Sequence, residues 1–359
     1  MRALAQTMGD PRTSSWALSG LLLLAILTAL HLARDLVLPI VLAFILSLVF
    51  LPAVRAMKKI RIPASIGAGV LVLGLLAAFL GGAYKLAEPA AAWLDRAPQG
   101  LREIDAKLRR ITGTVHDVAT ATAQVQDMTE QIAGGDNQKK VQEVTVKTPS
   151  LASVVLDASK DFAVTAFSTL VLLYFLLACG DFFLRKTIAA TPRLADKKRA
   201  VDIARQVEAA VSTYLLTVTL INAGLGCLVA LAMYLLGVPN PVLWGVMVAV
   251  LNFIPYLGDI ASASILTIVG LLTFDDVWHG LLVPGAFCLL TAAEGYFITP
   301  LILGRRLRLN PVVIVLSVLF WGWMWGVLGA LLAVPILVAV KTFCDRVESL
   351  KAFGEFLGA

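Results

Sequence analysis

Four polar or helix-breaking residues interrupt one long apolar stretch. Asn252, Pro255, Gly258 and Asp259 lie close together inside the apolar run 241–274. Proline removes a backbone donor, and glycine frees the backbone beside it. In lipid, the released backbone groups must be satisfied by protein or by water in a cavity. We therefore predict a broken helix that carries an acid at membrane depth, which is typical of a crossing route for polar solutes or ions.

Glu294 is a second acid within an apolar segment, 279–303. A charged side chain at the centre of a membrane helix costs on the order of 2.5–3.5 kcal/mol on insertion scales. We expect Glu294 to face the interior of the helix bundle and to be protonated, paired or hydrated there. The alternative is a structural pair with Arg305 or with a hairpin backbone. Thr299 and Pro300 should loosen the same helix.

Other polar residues extend this candidate route, although a single polar residue in a membrane helix often only joins helices. Asp259 could also merely cap the half-helix that follows the break. The positive end of that half-helix would suit an anion, but Asp259 would repel one, which favours a neutral polyol or a cation. The predicted route residues are Asn222, Asn252, Pro255, Tyr256, Gly258, Asp259, Glu294 and Thr299.

The composition indicates an all-α, polytopic membrane protein. Of 359 residues, 59% are hydrophobic and 15% are charged, and the mean hydropathy is +0.85. The net charge of +6 does not indicate nucleic-acid binding, because Lys and Arg fall at the ends of apolar segments. The four cysteines form no CxxC pair, and the three histidines have no metal-ligand spacing. We expect neither a cofactor nor a bound metal.

Eight apolar segments position these residues, and a full crossing needs about 20 apolar residues. We predict about five full transmembrane helices and two re-entrant helical hairpins, 241–274 and 312–340. The domains would be N-terminal helices at 1–87, an extracytoplasmic helical arm at 88–156 and a transport core at 157–359. The segments are 16–33, 36–54, 64–86, 158–183, 213–237, 241–274, 279–303 and 312–340.

The segment 312–340 is too long for one untilted helix and too short for two full crossings. Its middle is rich in tryptophan and glycine, which predicts a tight hairpin tip at Trp321, Gly322, Trp323 and Gly326. The spacing of the two glycines also fits a close contact between helices.

Basic residues set the predicted orientation. Lys and Arg concentrate in alternate connections and after residue 340, which predicts that both termini lie in the cytoplasm. One hairpin then enters from outside and the other from inside, so that their tips could meet near the midplane. Residues 194–211 form either an amphipathic helix on the cytoplasmic leaflet or a soluble connector.

The long polar loop carries a heptad pattern over 101–132. The pattern fits an amphipathic helix that lies on the protein's own membrane domain, or a coiled-coil arm that joins subunits into a homo-oligomer. The second possibility allows a membrane scaffold that transports nothing.

Enzyme signatures are missing from the sequence. It contains no HExxH, no GxSxG and no P-loop. We therefore expect a transporter or permease rather than an enzyme, with a small polar solute, or a monovalent cation and a proton, as its cargo and the lipid bilayer as its surroundings.

The C-terminal half resembles the autoinducer-2 exporter (AI-2E) family, or PerM-like permeases. The likeness lies in 237–245 with Leu-Asn-Phe-Ile-Pro-Tyr-Leu-Gly at 251–258, in Glu294 with 298–311, and in 316–335. The resemblance implies export of the quorum-sensing signal autoinducer-2, a small furanosyl polyol. Some relatives are described as sodium(lithium)/proton antiporters. Asp259 departs from the family pattern, where a proline is common, and so do Gly295 and Tyr296 after the glutamate.

Overall fold

The computed structural model describes residues 11–96, 151–180, 194–299, 301 and 309–358. Within these ranges the chain is helical, and the single β feature is an isolated bridge between Leu309 and Gly358. The arm predicted at 101–132 and the proposed partner Arg305 lie outside the described residues. The helices are α1 Pro11–Leu32, α2 Arg34–Lys59, α3 Ala64–Arg96, α4 Leu151–Cys179, α5 Leu194–Leu235, α6 Pro241–Leu251, α7 Leu257–Thr273, α8 Val277–Ala293, α9 Pro311–Cys344 and α10 Lys351–Leu357.

The described helices confirm an all-α, polytopic membrane protein. Six of them are long and apolar enough to cross a bilayer: α2, α3, α4, α5, α8 with the turn that follows it, and α9. Five of the six run without interruption, because α9 alone of the six contains non-helical backbone between its ends. The sequence prediction of about five full spans agrees with this architecture.

The sixth long helix, α9, folds back on itself. Trp325 and Gly326 leave the helical region, and Gly326 has φ +68° and ψ −149°, a backbone conformation that favours glycine. The hydroxyl of Ser317 donates a 3.1 Å hydrogen bond to the carbonyl of Ala333, 16 residues later. In a straight helix those residues would stand about 24 Å apart. The segment is therefore a helical hairpin whose two arms meet at Gly326.

Helices α6 and α7 form a second reversal, inside 241–274. The backbone of Gly258 lies so close to Leu251 that a Cβ on the glycine would collide with the leucine carbonyl. Between them Tyr256 adopts φ +64° and ψ −49°, and the N–H of Leu257 donates to the carbonyl of Pro255 at 2.7 Å. This three-residue turn is a γ-turn, a rare and strained conformation for a residue with a side chain. That either hairpin re-enters the membrane remains a prediction.

Capping residues explain where these arms begin. Asn310 accepts a hydrogen bond from the N–H of Val312 at 3.0 Å, and Pro311 occupies the first position of α9. Asp276 does the same for α8 by accepting from the N–H groups of Trp278 and His279. Both arrangements satisfy backbone donors that the first helical turn leaves unpaired.

Four buried clusters hold the helices together. One joins α2 to α5 and α9, a second joins the four helices α5, α6, α7 and α8, and a third joins α2, α3 and α4. The fourth packs Ile254, from the break between α6 and α7, against Val318, Ala330 and Ala333 of the α9 hairpin. The two reversals are therefore in direct contact. The sequence suggested that their tips could meet, whereas the break between α6 and α7 contacts the arms of α9 rather than its tip.

Helix α5 is longer than the sequence indicated. It is continuous over 42 residues, or about 63 Å, about twice the hydrocarbon thickness of a bilayer. Residues 194–211, predicted as either an amphipathic helix on the membrane surface or a soluble connector, form its first half. Arg55 of α2 binds Glu208 in this half through two hydrogen bonds of 2.6 and 3.2 Å. This ion pair fixes the first half of α5 against α2.

Candidate functional site

Asn222 and Asn252 join α5 to the break after α6. The side-chain N–H of Asn252 donates to the side-chain oxygen of Asn222 at 3.0 Å. Asn222 is 2% exposed, whereas Asn252 is half-buried. Close contact between the helices brings them together, because the backbones of Gly226 and Gly245 meet without any intervening side chain. Two predicted route residues, 30 positions apart, are thus direct partners.

Asp259 lies in the first turn of α7 and faces α8. The two helices are antiparallel, and their backbones meet at Gly270 and Gly280. Asp259 lies eleven residues before Gly270, and Thr291 lies eleven residues after Gly280. Because the helices are antiparallel, this register sets the side chains of Asp259 and Thr291 opposite each other. Asp259 does not cap α7, because Tyr256 occupies the cap position and the Asp259 Oδ1 atom is buried without a hydrogen bond.

Glu294 lies three residues beyond Thr291, at the same end of this pair of helices as Asp259. It begins a π-helical turn, Glu294–Ile298, that continues α8. The Thr299 hydroxyl donates to Glu294 Oε1, so two predicted residues again contact each other. The charge of Glu294 also acts on the Asp259 carboxylate, so the two acids share one electrostatic environment. Short π-helical turns inside α-helices occur frequently at functional sites.

Unpaired polar atoms accompany these acids. Among the described residues, Asp259 Oδ1, Ser262 Oγ, Thr291 Oγ1 and the side-chain nitrogen of Asn222 are buried without a hydrogen-bond partner. Gln206 Oε1, in the first half of α5, is the remaining atom of this kind. A buried polar atom without a partner costs about 1–3 kcal/mol. Such atoms gathered along adjoining helices are typical of a place where water, an ion or a solute binds.

Ser262 and Thr291 were not predicted from the sequence. Serine and threonine in a helix usually bond to the carbonyl four residues earlier. Ser264, Thr267 and Thr273 do so, with distances of 2.7–2.8 Å. The hydroxyls of Ser262 and Thr291 make no such bond. Ser262 lies one helical turn after Asp259. No signal in the sequence distinguishes the two groups.

The remaining predicted residues have structural roles or lie apart. Pro255 and Gly258 build the reversal after α6, and the Tyr256 side chain is 49% exposed. In the α9 hairpin, Gly326 is at the reversal, while Trp321 and Gly322 lie one turn earlier. Trp323 is 68% exposed, whereas Trp321 packs against the buried cluster that contains Ile254.

The α9 tip is instead held by the end of α1. His31 Nδ1 lies 3.0 Å from the carbonyl oxygen of Met324, and the His31 ring stacks on Trp323. The indole N–H of Trp325 points at the carbonyl of Leu30 at 3.4 Å. Trp325 and Met324 are buried, and neither was predicted from the sequence as an anchor. The tryptophan-rich segment is thus a docking point between the N-terminal helices and the hairpin.

No group of three or more His, Cys, Asp or Glu side chains able to hold a metal occurs in the described parts of the chain. A cavity of about 920 Å³ lies elsewhere, between α2, α4, the first half of α5 and the segment after α9. None of the predicted route residues is among its described lining. The candidate route is identified by its buried hydrogen-bonding groups.

The fold and these buried polar groups are those of a multi-pass membrane transporter. Residues 21–349 match the family model of the AI-2E family transporters. The chain belongs to this family, and the resemblance inferred from its C-terminal half is confirmed over nearly its whole length.

Named relatives agree with this assignment. The AI-2 transport protein TqsA of Escherichia coli strain K12 is 26% identical over 335 residues, 90% of each chain. A putative transport protein of Haemophilus influenzae is 26% identical over 342 residues, 93% of each chain. A putative transport protein of Borreliella burgdorferi is 32% identical over 190 residues, 52% of each chain, so the match spans about half of that relative's length.

Proposed function

We propose that this chain carries a small, hydroxylated, uncharged solute across the bacterial inner membrane, past Asn222, Asn252, Asp259 and Glu294. The observation that carries the proposal is the set of buried atoms without partners beside the two acids. A polar group left unpaired in a low-dielectric interior is costly, so a bound solute that pairs with several of them is stabilised.

The mixture of donors and acceptors selects the kind of solute. Asn222 offers an unpaired N–H₂ donor, Asp259 Oδ1 accepts when ionised, and the hydroxyls of Ser262 and Thr291 can do either. A bare cation could use the oxygens but would gain nothing from an amide donor. A polyol presents hydroxyl groups that both donate and accept, which matches the whole set. Because the relative TqsA is named an AI-2 transport protein, autoinducer-2 is the first solute to test.

Glu294 and Asp259 would couple transport of the solute to the movement of a proton. Two carboxylates that share one environment repel each other when both are ionised, so a proton on either one relieves the repulsion. Glu294 already accepts a hydrogen bond from the Thr299 hydroxyl, which orients its carboxylate. Proton release from one acid would then change how strongly the pair holds the solute.

Sodium(lithium)/proton antiport is the second candidate function. The observation that favours it is the pair of acids flanked by the oxygens of Ser262 and Thr291, because carboxylate and hydroxyl oxygens suit a hard monovalent cation. In this alternative the cation and the proton would compete for the same carboxylates.

One experiment separates the two functions. The purified chain is reconstituted in liposomes that contain a pH-sensitive dye, and either autoinducer-2 or sodium chloride is added outside. Movement of autoinducer-2 into the liposomes, without a pH change that depends on sodium, supports the polyol proposal. A pH change driven by sodium or lithium, with no movement of autoinducer-2, replaces it with antiport. Empty liposomes and protein reconstituted after heat denaturation are the controls.

A further inference from the structure

The cavity beside α5 has the form of a site for an amphiphile. Its walls are mainly apolar and include Phe44, Leu48 and Leu51 of α2, and Ile203 and Val207 of α5. Its volume of about 920 Å³ is at the upper end of the range of about 300–1,000 Å³ for small-molecule sites. Phe44 and Phe343 are 53% and 45% exposed, so the apolar wall is open to its surroundings.

Among the residues that the structure describes, the charged groups lining this cavity are Arg199, Glu208 and Glu348. Glu208 is already bound by Arg55 through two hydrogen bonds, and its side chain is 14% exposed. Arg199 and Glu348 are both exposed and line the cavity. Two oppositely charged side chains therefore remain available at its rim.

Arg199 and Glu348 are held near each other without pairing. The Arg199 guanidinium donates to the backbone carbonyl of Arg346 at 3.2 Å, two residues before Glu348. In the described part of the chain Glu348 has no ion-pair partner. A guanidinium has five N–H donors, so Arg199 keeps several for a ligand, and its fork geometry suits phosphate oxygens.

We propose that this cavity binds a zwitterionic aminophospholipid of the phosphatidylethanolamine type. Its phosphate would lie on the Arg199 guanidinium, its ammonium group on the Glu348 carboxylate, and one acyl chain along the apolar wall between α2 and α5. An anionic headgroup would gain from Arg199 but would be repelled by Glu348. A choline headgroup could reach Glu348 but has no N–H to donate to it. The occupant comes from the bilayer, because Phe44, Leu48 and Leu51 of the apolar wall belong to α2, a helix long and apolar enough to span one.

The position of the cavity gives this lipid a structural consequence. The cavity contacts α2, α4, the first half of α5, and the end of α9 with the segment that follows it. Of these, α5 and α4 belong to different buried clusters, both of which include α2. A lipid in this position would fill the space between them and hold the long α5 against α2. Lipid binding here is independent of solute transport through the Asp259 region.

Native mass spectrometry of the full-length chain in detergent, with phosphatidylethanolamine, phosphatidylglycerol or phosphatidylcholine added, tests this proposal. The wild type should bind phosphatidylethanolamine most tightly. Arg199→Ala should weaken that binding about tenfold, because a charge-assisted hydrogen bond to phosphate is lost. Glu348→Gln should bring the affinities for phosphatidylethanolamine and phosphatidylglycerol to within about twofold of each other.

Matched variants make the result decisive. Lys198→Ala removes the same charge from the adjacent exposed position, which is not among the described cavity lining, and should leave binding unchanged. Ala204→Phe fills the apolar wall and should weaken all three lipids. Thermal unfolding checks that each variant is folded. The proposal is overturned if Arg199→Ala behaves like Lys198→Ala, or if phosphatidylglycerol binds as tightly as phosphatidylethanolamine to the wild type.

Discussion

The hydroxyl of Ser317 donates a hydrogen bond to the carbonyl oxygen of Ala333, across the two arms of α9. A continuous membrane helix could not bring these residues together. The contact shows that a segment long and apolar enough to be taken for a crossing helix is a hairpin instead. Because Ile254 packs on the same arms, the α9 hairpin also supports the break that carries Asn252 and precedes Asp259.

The first prediction concerns the contact between the arms of α9. Gly329→Ala should destabilise the protein strongly, because the added Cβ would collide with the carbonyl of Trp321, which is backbone and cannot move aside cheaply. We expect a cost of at least about 2 kcal/mol, measured as a lower midpoint of thermal unfolding in detergent. Gly322→Ala is the control, because its Cβ would lie 3.6 Å from Ala330 in ordinary contact. Equal midpoints for the two variants would argue against the hairpin.

A second prediction follows from the strained turn at Tyr256. Tyr256→Gly should leave stability unchanged or raise it, because glycine adopts φ +64° without the steric penalty that tyrosine meets. Tyr234→Gly is the matched control: it removes an exposed tyrosine from α5 and should cost about 1 kcal/mol. Denaturation curves compare the two variants. A large loss of stability in Tyr256→Gly would contradict this prediction, because it would mean that contacts of the tyrosine side chain stabilise the protein more than the strained turn destabilises it.

The third prediction concerns the ion pair that holds the first half of α5. A double-mutant cycle with Arg55→Ala and Glu208→Ala should give a coupling free energy of about 1 kcal/mol, since Arg55 is 42% exposed and solvent screens its charge. The coupling should fall as salt rises. The pair Arg34 and Asp35, 59% and 93% exposed, provides the comparison and should show almost no coupling. Similar coupling in both pairs would contradict the role of Arg55 in fixing α5.

Much of the fold could be predicted because membrane insertion imposes simple rules. Helix length, the breaks at Pro255 and Gly258, and the glycines of 320–326 all leave marks in one sequence. The exact point of reversal could not be predicted, because Gly322 and Gly326 both permit it. The burial of Trp325 and the contacts of Met324 with α1 select Gly326. The length of α5 was missed because the charged first half looks like a separate segment.

The candidate site was predicted only in part. Asn222, Asn252, Asp259 and Glu294 are conspicuous because polar side chains are rare in apolar segments. Ser262 and Thr291 were missed because a hydroxyl in a helix normally bonds its own backbone, as Thr267 does. Which hydroxyls stay unpaired depends on how α7 packs against α8, and that information is tertiary.

The most direct test of the proposed transport function is solute flux after neutral replacement of the two acids. Wild type, Asp259→Asn, Glu294→Gln and Asp275→Asn are reconstituted in liposomes at equal density, and autoinducer-2 flux is measured. Asp275 is an exposed acid in the turn between α7 and α8, so its variant controls for lost charge alone. We predict that Asp259→Asn and Glu294→Gln each lower the flux at least about tenfold, because a charged hydrogen bond is lost. Asp275→Asn should keep the wild-type flux. Wild-type flux in both Asp259→Asn and Glu294→Gln would contradict the assignment of the route.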